Sequence, residues 1–115
     1  MNNRAQLLND LIHMQSPLTE TLPLLRRLEW DCDKPLVELG RNDIASVLNS
    51  YIQSKMTATE VEEWANAIES RDDIGYEPKY KDVILSSIYE LANPLLTRPL
   101  TSQTALEWIS RLSAS

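Results

Sequence analysis

Only two glycines, Gly40 and Gly75, occur in the 115 residues of this chain. An all-β fold reverses direction at many tight turns, and those turns draw heavily on glycine. The scarcity disfavours such a fold, so the apolar residues must be explained by helices. A chain of this length fits one domain and buries roughly two thirds of its unfolded surface, enough for one core without staples.

The apolar spacing is helical almost throughout. Leu7, Leu8, Leu11, Ile12 and Met14 form one stripe over residues 4–14, and Ser16-Pro17 ends that helix. Leu18, Leu22, Leu25 and Leu28 continue the pattern across Pro23. Either a turn precedes a helix starting at Pro23, or one helix is kinked there. Residues Glu29 to Gly40 are the least periodic and read as an extended crossing, with a short helical turn after Pro35. Ile44, Val47, Leu48, Tyr51 and Ile52 mark a further helix, with Asn42 as the expected N-cap.

Thr57-Ala58-Thr59-Glu60 matches a capping box, opening a helix that turns Val61, Trp64, Ala65 and Ile68 inward. A loop over Asp72 to Pro78, turned by Gly75, is expected next. A helix from Tyr80 to Ala92 stops at Pro94, and a last one is capped by Thr101 and buries Trp108. The Thr57…Glu63-Trp64 and Thr101…Glu107-Trp108 patterns echo one another as shared helix grammar. The expected fold is all-α: one domain over residues 1–115, a compact bundle of five or six short helices.

Charge is unevenly spread. Between Glu60 and Glu77 seven acids face one base, Arg71, a balance of −6 that equals the net charge of the whole chain. An acidic chain repels phosphate, which argues against nucleic acid as the ligand, and favours a basic protein partner. No apolar run reaches the ~18 residues of a membrane span, and the N-terminus, MNNRAQLLNDLIHM, lacks a signal-peptide core. Cys32 is the single cysteine, which fits a reducing cytoplasm and forms no internal disulfide.

Chemistry finds little support. His13 and Cys32 have no paired ligand spacing for zinc, and neither Asp31-Cys32-Asp33 nor Asp72-Asp73-x-Gly75-x-Glu77 has the register of a calcium loop. There is no glycine-rich phosphate loop, and no nucleophile with an evident base. Cys32 sits between two aspartates that disfavour its thiolate. Neither a metal, a cofactor nor an enzymatic activity is expected.

A binding surface is the remaining reading. Glu62, Glu63 and Glu69 would present one helix face, while Asp72, Asp73, Tyr76 and Glu77 would form an inserting loop. Ile74 and Tyr76 would be exposed among acids, the aromatic supplying contact area and the carboxylates pairing with lysine or arginine. Trp30, with Glu29, Asp31 and Asp33, is either a second patch or a core residue.

The runs EVEEWANAIESRDDIGYE (60–77) and ELANPLLTRPLT (90–101) resemble those of small, all-helical, acidic bacterial immunity proteins of contact-dependent growth inhibition systems. The resemblance covers roughly the C-terminal two thirds. It implies a cytoplasmic antitoxin that binds the C-terminal toxin domain of a secreted effector, commonly a nuclease, by occluding a basic cleft. It assigns no individual residue. A regulatory or adaptor module using the same surface is the alternative, and a pocket of convergent polar groups around His13 would favour a small enzyme.

Overall fold

A computed structural model of the chain describes residues 4–28, 34–69 and 71–114. The element order is α1 (Arg4–His13), α2 (Leu18–Leu25), β1 (Val37–Leu39), α3 (Arg41–Ile52), α4 (Ala58–Ile68), β2 (Ile74–Tyr76), a 3-10 turn (Pro78–Tyr80), α5 (Lys81–Ala92) and α6 (Ser102–Ala114). Glu29, Trp30, Asp31, Cys32 and Asp33 lie outside the described residues.

Six helices make a mostly-α bundle. α3 packs along α6, α4 along α5, and α1 against α2. Their apolar stripes meet in one core that includes Leu8, Leu11, Ile44, Leu48, Trp64, Ile68, Ile84, Ile88 and Leu112. Trp64 is fully buried and donates its indole N–H to the Leu11 carbonyl at 2.8 Å. That oxygen lies in the last turn of α1 and also accepts the Met14 amide at 3.3 Å, so the tryptophan both fills the core and ties α4 to α1.

The caps follow the local sequence. Thr57 Oγ1 accepts the Glu60 amide at 3.1 Å, and Glu60 Oε1 accepts the Thr57 amide at 2.9 Å. At α6 the Thr104 amide donates to Thr101 Oγ1, and Thr104 Oγ1 accepts the Thr101 amide. α3 begins two residues earlier than Asn42 implies. Its N-cap is Gly40, whose amide donates to Asp43 Oδ2 at 2.8 Å. The proline ambiguity resolves as a single helix, with Pro23 inside α2.

Two departures from an all-helical chain lie side by side. β1 and β2 pair in parallel, Val37 opposite Ile74, Glu38 opposite Gly75 and Leu39 opposite Tyr76. β1 replaces the helical turn expected after Pro35, and β2 replaces the middle of the expected loop. A parallel pair is joined by a crossover, here α3 and α4, so it needs no hairpin and no turn glycine. Gly75 is not at a turn and has no positive φ. A Cβ there would lie 3.0 Å from Pro35 Cβ and 3.2 Å from its Cγ, so the glycine leaves room for the Pro35 ring to pack on the strand.

Candidate functional site

The acidic segment from Glu60 to Glu77 is divided by the fold among several environments. Glu60 is engaged in the α4 cap. Glu62 and Glu69 lie seven residues apart, two turns along α4, on the side that meets α5. Glu62 lines a groove with Leu91, Pro94 and Arg98, and Glu69 accepts the Asn93 side-chain amide at 3.2 Å. Glu63 is exposed on a different side, beside Leu22, Leu25 and Arg26 of the α2 region.

Asp73 does not belong to an inserting loop. It is 0% exposed, and both carboxylate oxygens are engaged by arginine. Arg71 Nε donates to Oδ1 at 2.9 Å and Arg71 Nη2 to Oδ2 at 2.9 Å, while Arg4 Nε reaches Oδ2 at 2.8 Å. Burial alone would raise the Asp73 pKa, but these hydrogen bonds and charges hold it below the ordinary value of 3.8. The cluster joins the first turn of α1 to the approach to β2.

The neighbours of Asp73 follow the strand geometry. Ile74 is buried. Tyr76 is half-buried, and both burial and the nearby Glu69 carboxylate raise its phenol pKa above 10.0. Glu77 Oε1 accepts the Arg41 amide at 3.2 Å, placing a carboxylate at the positive end of α3. Asp72 alone among these four is exposed, in a shallow depression with Pro35, Leu36, Glu38 and Lys81. Neither Glu62, Glu63 nor Asp72 makes a side-chain hydrogen bond or ion pair among the described residues.

The exposed apolar residues lie elsewhere than the sequence reading put them. Leu95 is 99% exposed and Leu96 75%, both in the turn after α5. Tyr89, one turn before the end of α5, is 50% exposed, and Leu85 lies four residues earlier on the same face. Asn93 Nδ2 donates to both the Tyr89 carbonyl and Glu69, so this apolar end adjoins the acidic side of α4. The sequence did carry a signal: Leu95 and Leu96 follow Pro94 and belong to no helical stripe, so no core position was reserved for them.

Convergent polar groups also occur at His13. Its Nε2 lies 3.3 Å from Asp43 Oδ1, in a cleft that Ser46 and Ser50 also line. Neither serine side chain donates to His13 among the described residues. The pair therefore ties α1 to α3 without assembling a nucleophile and its base.

No group of three or more histidine, cysteine, aspartate or glutamate side chains is placed to hold a metal among the described residues. None of the described helices is long and apolar enough to cross a membrane. No protein-family model, curated protein or solved structure matches the chain.

Proposed function

We propose that this chain is an immunity protein, acting in the cytoplasm, that binds and neutralises a basic, nuclease-type toxin domain. The observation that carries the reading is the joining of two features at one end of the bundle. Leu95, Leu96 and Tyr89 expose apolar area that the fold does not use, and Glu62 and Glu69 flank it. Apolar and aromatic anchors supply most interface energy, while surrounding charge sets partner choice and association rate. Exposed Glu63 and Asp72, outside that face, add to the negative field that steers a cationic partner. Asp73 takes no direct part, because its charge is internally neutralised. Tyr76 and Glu77 contribute at most at the margin. The mechanism is occlusion of a phosphate-binding cleft, with no chemistry performed by this chain.

The test is co-expression with the product of the adjacent upstream gene, followed by capture and a nuclease assay on the captured protein. A stoichiometric complex with suppressed nuclease activity is expected. The triple variant Glu62→Lys, Glu69→Lys, Asp72→Lys should slow association and reduce protection. Capture of a regulator without toxic activity would instead make the chain an adaptor using the same face. Unchanged affinity in the triple variant would remove these acids from the interface.

A further inference from the structure

We propose that the groove between α4, α5 and the 94–100 segment receives a lysine or arginine side chain of the protein partner. The inference rests on the partner-binding reading above and names its anchor point. The groove encloses about 140 Å³. Its walls are apolar, formed by Ala58, Leu91, Pro94, Pro99 and Leu100. Its polar groups are mainly Glu62, Glu90 and Arg98.

The charges in and beside the groove are unequal. Arg98 Nε donates to Glu90 Oε2 at 3.0 Å, and Arg98 Nη1 lies 3.4 Å from each oxygen of Glu107. Glu90 Oε2 also accepts the Trp108 indole N–H. One arginine is thus shared by two carboxylates and held in place by both. Glu62 is left over: it is part-buried at the groove and has no side-chain partner among the described residues. The positive end of α4, which Ala58 and Thr59 bring to the same groove, already faces the Glu60 carboxylate.

These features select the occupant. An anion would meet three carboxylates against one committed arginine. A neutral apolar group would fill the walls but leave Glu62 desolvated without a partner. A long aliphatic stem ending in a cation satisfies both, packing its methylenes on the prolines and leucines and its head on Glu62. Only lysine and arginine side chains have that form.

The experiment is an NMR titration of the intact ¹⁵N-labelled chain with N-acetyl-arginine methylamide and N-acetyl-lysine methylamide. The norleucine and glutamate counterparts are the controls. Saturable shifts are expected at the amides of Ala58, Thr59, Glu62 and Leu91 for the two cations only. Glu62→Gln should weaken that binding about tenfold, the value of one charge-assisted contact, while Glu63→Gln should leave it unchanged. Ala58→Leu, which narrows the groove without touching a charge, should also weaken it, and thermal melts report whether each variant is folded. Equal binding by the norleucine amide, an unaffected Glu62→Gln variant, or shifts that fail to saturate would each overturn the proposal. Absence of amide binding, with capture of the toxin retained, would overturn the groove and leave the wider face standing. Amide binding, with a toxin complex weakened by Glu62→Gln but indifferent to the Glu69→Lys, Asp72→Lys pair, would support the groove and overturn the wider face, whereas a toxin complex indifferent to Glu62→Gln would overturn the groove as the partner's anchor.

Discussion

Asp73 is engaged through both carboxylate oxygens by Arg71 and Arg4, and Arg71 is itself only 5% exposed. Removing the carboxylate strips that buried guanidinium of its bidentate counter-charge. Asp73→Asn should therefore cost about 3–5 kcal/mol in urea unfolding at neutral pH. The arginines depress the folded-state pKa, so the stabilisation is present above the unfolded value and is lost as pH falls from 3.8 through the depressed one. The gap between wild type and Asp73→Asn should accordingly close in the acid. Tyr76 works in the opposite direction. Burial first, and Glu69 second, favour its neutral phenol, so its stabilising contribution is complete below pH 10 and declines above it. An absorbance titration of the phenolate should show one tyrosine ionising late, shifted part of the way back by Glu69→Gln. The acidity around Asp73 was legible in the sequence, but its use was not. Arg71 is two residues away, whereas Arg4 is brought in from 69 positions earlier by the fold.

Helices were legible wherever their signals are local. The α4 cap depends on residues three apart, and the inward placement of Trp64 depends on spacing alone. The start of α3 was displaced because Asp43 reaches back to Gly40, so that Asn42 is left exposed within the helix. The strand pair left no comparable trace. Val37–Leu39 and Ile74–Tyr76 are three residues each, too short for a period to show, and each is a strand because the other lies beside it. Scarcity of glycine has a measurable consequence at helix ends. α1 and α3 are each followed by a left-handed residue, Met14 at φ 51° and Ser54 at φ 63°. The amides of Gln15 and Lys55 close back onto the carbonyls of Asp10 and Ser50, an arrangement normally completed by glycine. Ser54 is exposed and its side chain makes no hydrogen bond among the described residues, so Ser54→Gly relieves the backbone penalty at little other loss. A gain of about 0.5 kcal/mol is expected, after the added entropy of the unfolded chain is deducted. Ser46→Gly, inside α3 and also exposed, should instead lose about 0.5–1 kcal/mol. Urea denaturation of the two variants separates a local backbone effect from a general one.

Across the whole molecule, the −6 charge of the 60–77 segment is sorted by burial. Asp73 is matched internally, Glu60 and Glu77 serve helix starts, and Glu62, Glu63, Glu69 and Asp72 are left to define the field outside. Charge of that kind accelerates encounter, but holding a partner requires desolvated apolar contact. The fold offers it at Leu95 and Leu96, which already face solvent and so add almost nothing to folding. The double variant Leu95→Ser, Leu96→Ser should leave the melting temperature unchanged. It should raise the dissociation rate of the toxin complex at least tenfold, since each leucine buried at an interface is worth about 1.5–3 kcal/mol. The Glu63→Lys, Asp72→Lys pair, exposed and outside the groove, should chiefly lower the association rate, and added salt should shrink that difference between variant and wild type. Surface plasmon resonance at two ionic strengths, beside a thermal melt of each variant, distinguishes these effects. A melting temperature that falls with the leucine substitutions would mean that the turn after α5 supports the bundle. Unchanged dissociation at an unchanged melting temperature would place the interface on another face.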